Sequence, residues 1–129
     1  MESETLPGGH MARILIVDDE EEMLKSIRLT MEGSGHECIF AMDGLEALEM
    51  ARKWVPDLII LDIMLPGLDG YQVSRYLKFD SKYRHIPIIM LTAKSDEKDK
   101  RLGFEVGTNE FLTKPFTLDE FMAVVSRYV

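Results

Sequence analysis

Four apolar runs of strand length mark the chain, at positions 14–17, 38–41, 58–61 and 86–91, with a weaker fifth at 110–113. Runs this short and this continuously apolar predict strands covered on both faces. The segments between them are of helical length and carry apolar residues at helical spacing. Positions 21–31 put Leu24, Ile27 and Met31 on one stripe, which Gly33 and Gly35 end. The next helix is predicted to open at an Asp43 cap, to carry Leu45, Leu48 and Trp54, and to close at Pro56. Positions 70–79 carry Val73 and Leu77, 96–106 carry Leu102 and Val106, and 118–129 carry Leu118, Phe121, Met122 and Val125. Strand and helix alternate five times, which predicts an α/β, doubly wound parallel sheet with right-handed crossovers and helices on both faces. In such sheets ligands bind beyond the carboxyl ends of the strands. The residues that follow each strand therefore hold the candidate chemistry.

Composition narrows the class. A chain of 129 residues is long enough for one domain with a real core and too short for two ordinary ones. The apolar fraction of 46% is that of a globular protein, and no apolar run approaches the roughly 20 residues of a membrane span. A net charge of −8 argues against direct nucleic acid binding, because holding a polyanion by counterion release needs a basic surface. The single cysteine, Cys38, has no partner for an internal disulfide, and the expected location is the reducing cytoplasm. Residues 1–10, "MESETLPGGH", lack periodicity and are expected to be a leader carried from an expression vector, leaving 11–129 as the domain. Val129 closes an apolar-periodic segment abruptly, as if the chain were cut there.

The stretch "PDLIILDIMLPGLDG", 56–70, seats Asp62 at the mouth of an apolar strand. An ionised carboxylate there needs a metal, a cation or solvent access. Asp18, Asp19 and Glu20 follow the first strand, Thr92 and Ala93 the fourth, and Lys114 and Pro115 the fifth. Carboxylates with little to neutralise them suit Mg²⁺, which takes one or two of them, keeps waters and accepts phosphate oxygens. A carboxylate also attacks phosphorus to give an aspartyl phosphate, and the remaining needs are a metal, a cation and a hydroxyl donor. Asp18 with Asp19, Lys114, and Thr92 supply them.

"ILIVDDEE", "PDLIILDIMLPGLDG", "IPIIMLTAK" and "GTNEFLTKPF", in this order, resemble the receiver domain of two-component response regulators across nearly all of 12–129. The resemblance implies a flavodoxin-like sheet of order 2-1-3-4-5 with five helices, and a domain that modifies itself rather than an enzyme acting on outside substrates. It implies that Asp62 accepts phosphate from a histidine kinase or phosphotransfer protein in a phosphorelay. Asp19, Asp62 and the Met64 backbone carbonyl would bind Mg²⁺ directly and Asp18 through water. Thr92 and the Ala93 N–H would hold the phosphoryl oxygens, Lys114 would pair with them, and Phe111, with Thr92, would report the switch. The bond before Pro115 would be cis, and a phosphorylation-dependent homodimer through the fourth helix, fifth strand and fifth helix is expected. Met64 stands where many members carry a polar residue. Asn109 stands where one subfamily carries Asp, and Val124 where its fifth helix carries Arg.

Plainer roles fit several neighbours. Glu21 and Glu22 suit the dipole of a helix start, Asp69 and Gly70 read as turn and helix-start residues, and His36 and His85 read as surface. A dehalogenase-type phosphatase would need an acid where Met64 stands. A flavin module would need a phosphate loop where "DDEEE" repels phosphate. A phosphorylation-independent docking module on the same fold is the remaining alternative, and the complete set of Asp18, Asp19, Asp62, Thr92 and Lys114 speaks against it.

Overall fold

A computed structural model describes residues 11–93 and 100–129, with the side chains of 100–102 left aside. The expected leader at 1–10, and the part of the fourth predicted helix before Lys100, lie outside the described residues. Strands β1 (Arg13–Val17), β2 (Glu37–Ala41), β3 (Leu58–Asp62), β4 (Ile88–Ala93) and β5 (Glu110–Lys114) alternate with helices α1 (Glu21–Glu32), α2 (Gly44–Trp54), α3 (Gly70–Lys78), α4 (Lys100–Glu105) and α5 (Leu118–Val125). All pairs are parallel and the order is β2-β1-β3-β4-β5. This is the predicted order.

Alternation along each strand divides the core in two. Leu15, Val17, Ile59, Leu61, Ile88 and Met90 face Ala47, Leu48 and Ala51 of α2 and Val73 and Leu77 of α3. Ile14, Ile16, Leu58, Ile60, Ile89, Leu91 and Leu112 face Leu24, Ile27 and Met31 of α1 and Phe121, Val124 and Val125 of α5. Each fully buried aliphatic chain contributes about 1.5–3 kcal/mol relative to exposure, so two covered faces drive the sheet together.

Local signals set the ends. The Asp43 carboxylate accepts from the Glu46 N–H and starts α2. Val55 closes it in a left-handed conformation, φ 44°, one residue before Pro56. Capping boxes start α3, from Asp69 and Gln72, and α5, from Thr117 and Glu120.

Three expectations are corrected. Leu45, Trp54 and Leu118 were expected on buried stripes, yet they are exposed; Ala47, Leu48 and Ala51 bury α2 instead. β4 starts at Ile88 rather than at 86, since Pro87 has no N–H to give a ladder. Ile86 is nonetheless buried. The last regular helix ends at Val125, four residues short of the predicted end, in a turn at Ser126.

Candidate functional site

Asp62, Thr92, Ala93 and Lys114 close their strands, and Asp18 follows β1 directly, so the sheet alone brings them to one rim. From β5 the Lys114 side chain spans β4 to reach β3. Its Nζ lies 2.7 Å from Asp62 Oδ2, 2.9 Å from Asp18 Oδ2 and 3.1 Å from Glu20 Oε1. The Lys114–Pro115 bond is cis.

Backbone fixes the carboxylates. The Asp18 N–H donates to the Ala41 carbonyl, and Asp18 Oδ1 accepts from the Glu20 N–H at 2.9 Å. Asp62 Oδ1 accepts from the Met64 N–H at 3.1 Å. Both carboxylates are buried, Asp18 completely. Gly70 permits this packing: its N–H donates to the Ile63 carbonyl, and a Cβ there would lie 2.5 Å from the Asp62 carbonyl oxygen. Reading Gly70 as only a helix-start residue misses that role.

Burial pushes the Asp62 carboxyl above the ordinary 3.8, and the Asp18 charge adds to it, while the Lys114 hydrogen bond opposes both. Burial also works against the Lys114 cation, but its close contacts with the Asp62, Asp18 and Glu20 carboxylates outweigh it and hold its pKa above the usual value. The two shifts agree physically, because one ammonium is shared among three carboxylates and each receives only part of its field.

Asp18 Oδ2 is buried without a hydrogen-bond donor, its ion pair with Lys114 being poorly aligned for one. Oxygens of Asp18, Glu20 and Asp62 lie within 4.8 Å of one another. An orphaned buried carboxylate oxygen in an all-oxygen set fits a hard divalent cation such as Mg²⁺. Glu20 was not assigned to this cluster from sequence, although it is the third acid after β1. Its reach to Lys114 depends on the fold. Asp19 is exposed and outside the cluster, with no hydrogen bond or ion pair among the described residues.

The Thr92 hydroxyl is buried and its contact to the Ala93 carbonyl is long, 3.3 Å, so it is weakly engaged. Met64 is 71% exposed at the mouth. Phe111 is half-buried, edge-on to Phe104 with centroids 5.1 Å apart. His36 is half-buried, and its Nδ1 accepts from the Ala12 N–H, a correction to its surface reading; His85 is exposed. Val124 is buried against the α1/α5 face, which explains an apolar residue there. No helix among the described residues is long and apolar enough to cross a membrane.

Residues 14–126 match the response regulator receiver domain family. The alkaline phosphatase synthesis transcriptional regulatory protein PhoP of Bacillus subtilis is 47% identical over 88% of this chain and 46% of its own length. The chain spans about half or less of the length of the curated relatives it matches. Among solved structures, the chemotaxis response regulator CheY4 of Vibrio cholerae superposes with a TM-score of 0.87 at 33% identity, over 92% of this chain and 99% of that one. The receiver domain of the sensor histidine kinase PA1611 of Pseudomonas aeruginosa, with magnesium coordinated in its active site cleft, gives 0.82 at 30% identity, covering 92% and 97%. Likeness in sequence and in fold thus runs across the whole described sheet, and the chain belongs to the receiver domains of two-component response regulators.

Proposed function

We propose that Asp62 is the phosphoacceptor. The observation that carries this reading is its carboxylate, buried at the end of β3 and 2.7 Å from the Lys114 ammonium. A carboxylate oxygen of Asp62 attacks the phosphorus of a phosphohistidine on a histidine kinase or phosphotransfer protein. The P–N bond breaks, its electron pair returns to the imidazole, and an acyl phosphate forms on Asp62. Lys114 neutralises the phosphoryl oxygens. The Thr92 hydroxyl turns from its long contact with the Ala93 carbonyl to donate to the same oxygens, as does the Ala93 N–H. Asp18, Asp19, Asp62 and the Met64 carbonyl would hold Mg²⁺, with Glu20 in reach; when bound, the ion supplies neutralisation of the charge on the transferring group. The domain's only catalysis is of its own phosphorylation and dephosphorylation.

The charge change accounts for a switch. Phosphate on Asp62 draws Lys114 from Asp18 and Glu20, and Thr92 away from Ala93, which frees the β4–β5 rim to rearrange with Phe111. The α4/β5/α5 face then presents a homodimer surface. Any DNA binding belongs to another segment, since this one is strongly acidic. The cytoplasm fits, because Cys38 remains a thiol there and kinases draw on ATP.

Intact-mass spectrometry after incubation with acetyl phosphate and Mg²⁺ tests the reading. One added phosphoryl group, lost in Asp62→Asn, is expected. An unmodified parent, or an equally modified variant, overturns it.

A further inference from the structure

Between the end of α3 and the turn from α4 to β5 lies a cavity of about 490 Å³, away from the Asp62 rim. Its walls hold Arg75, Lys78, Arg84, Phe79 and Phe104, with Glu105 as the one carboxylate. Arg75 stands three residues before Lys78 and four before Phe79, so the three share one face of the last turn of α3. Cations suit a helix C-terminus, which accounts for Arg75 and Lys78. It does not account for Arg84, beyond the helix, or for two phenyl rings turned to solvent, Phe79 at 79% and Phe104 at 56% exposure.

Lys78 is built into the wall. Its Nζ donates to the carbonyls of Arg84, at 2.9 Å, and Ile86, at 2.7 Å. Gly107, at φ +97°, gives its stem room, since a Cβ there would collide with Lys78 Cγ. An ammonium has three N–H donors, so one is left. No carboxylate pairs with Lys78, Arg75 or Arg84 among the described residues. Burial lowers the Lys78 pKa, and an incoming carboxylate would offset that cost. On a chain of net charge −8, three such cations around one cavity form a local field that selects anions.

Sites for small molecules enclose most of their ligand. Here both rings stand at the lip, so the cavity is an open groove that suits a chain laid across it, and Arg and aromatic side chains are the usual anchors of such contacts. We infer that this groove docks an acidic peptide segment with an apolar anchor, its carboxylates on Arg75, Lys78 and Arg84 and its anchor against Phe79 and Phe104. Phe104 packs its ring on Phe111, so a docked segment is felt at Phe111. The inference does not depend on Asp62 accepting phosphate.

The test titrates isotope-labelled full chain with a short capped peptide of glutamates flanking one phenylalanine, followed by NMR. Saturable shifts at residues 75–79, 84 and 104–107 and at the Phe111 ring are expected, weakening as salt rises. The pair Arg75→Glu and Arg84→Glu should weaken binding about tenfold or more. Phe79→Ser should weaken it with charge unchanged, and unaltered spectral dispersion shows that each variant folds. Shifts that are absent, scattered over the surface, or equal in the variants overturn the inference. So does the same response to a peptide of glutamines in place of glutamates. GTP producing these shifts at lower concentration than the peptide would assign the groove to a small anion and overturn it too.

Discussion

The ring of Phe111 occupies the space that a Cβ on Gly103 would need: an alanine there would collide with its Cζ. The β5 aromatic is thus seated in a notch of α4 that exists only because residue 103 has no side chain, and Phe104 closes one side of it.

Gly103→Ala should therefore displace the Phe111 ring. Overpacking costs about 1–3 kcal/mol, and the low end is expected because a half-buried ring can turn outward. Aromatic NMR shifts of Phe111 and urea denaturation measure the two effects. An unmoved ring would show that the helix yields instead.

Asp62→Asn should leave the fold intact and, without metal, at least as stable as the parent. Because burial raises the folded pKa of Asp62, its contribution to stability is fully present below the ordinary value of 3.8 and is lost as pH rises through the raised folded value. The variant, neutral throughout, escapes this loss, while Lys114 keeps Asp18 and Glu20. The parent and the variant should match in acid and diverge in the variant's favour toward neutral pH. A variant less stable by more than about 1 kcal/mol at neutral pH would mean that the Lys114 pair outweighs desolvation.

Adding Mg²⁺ should raise the stability of the parent, by about 2.7 kcal/mol at a hundredfold excess over Kd. Asp19→Asn should weaken the ion's binding about tenfold or more, whereas Glu20→Gln should change it about threefold at most. Asp19 is exposed and unengaged, so taking a cation breaks nothing; Glu20 is already committed to Lys114. Thermal melts across a Mg²⁺ titration rank the two, and the reverse order would assign the cation to the cluster of Asp18, Glu20 and Asp62.

Met64→Asn should shorten the lifetime of the phosphorylated domain about tenfold, or ~1.4 kcal/mol, at saturating Mg²⁺. Hydrolysis needs a water in line with the P–O bond, and an apolar chain at the mouth, 71% exposed, cannot orient one. Phosphate loss from purified protein is the measurement, and an equal or longer lifetime would remove Met64 from any control of access.

Periodicity determined the sheet and its class, because a strand buried on both faces has no choice but to be apolar throughout, as 58–61 is. Strand ends then marked Asp62, Thr92 and Lys114 by the change from apolar to polar. Where two faces compete, sequence was weaker: Leu45 and Trp54 look like core, but small Ala47 and Ala51 let α2 approach the sheet on another stripe. Only the tertiary structure decided that Lys114 is shared with Glu20, a contact across 94 residues set by where β1 and β5 end. The Phe111 seat on Gly103 and the basic groove beside α3 belong to the same class. Each depends on how packed elements sit against one another in the finished fold, and no local pattern encodes such a distance.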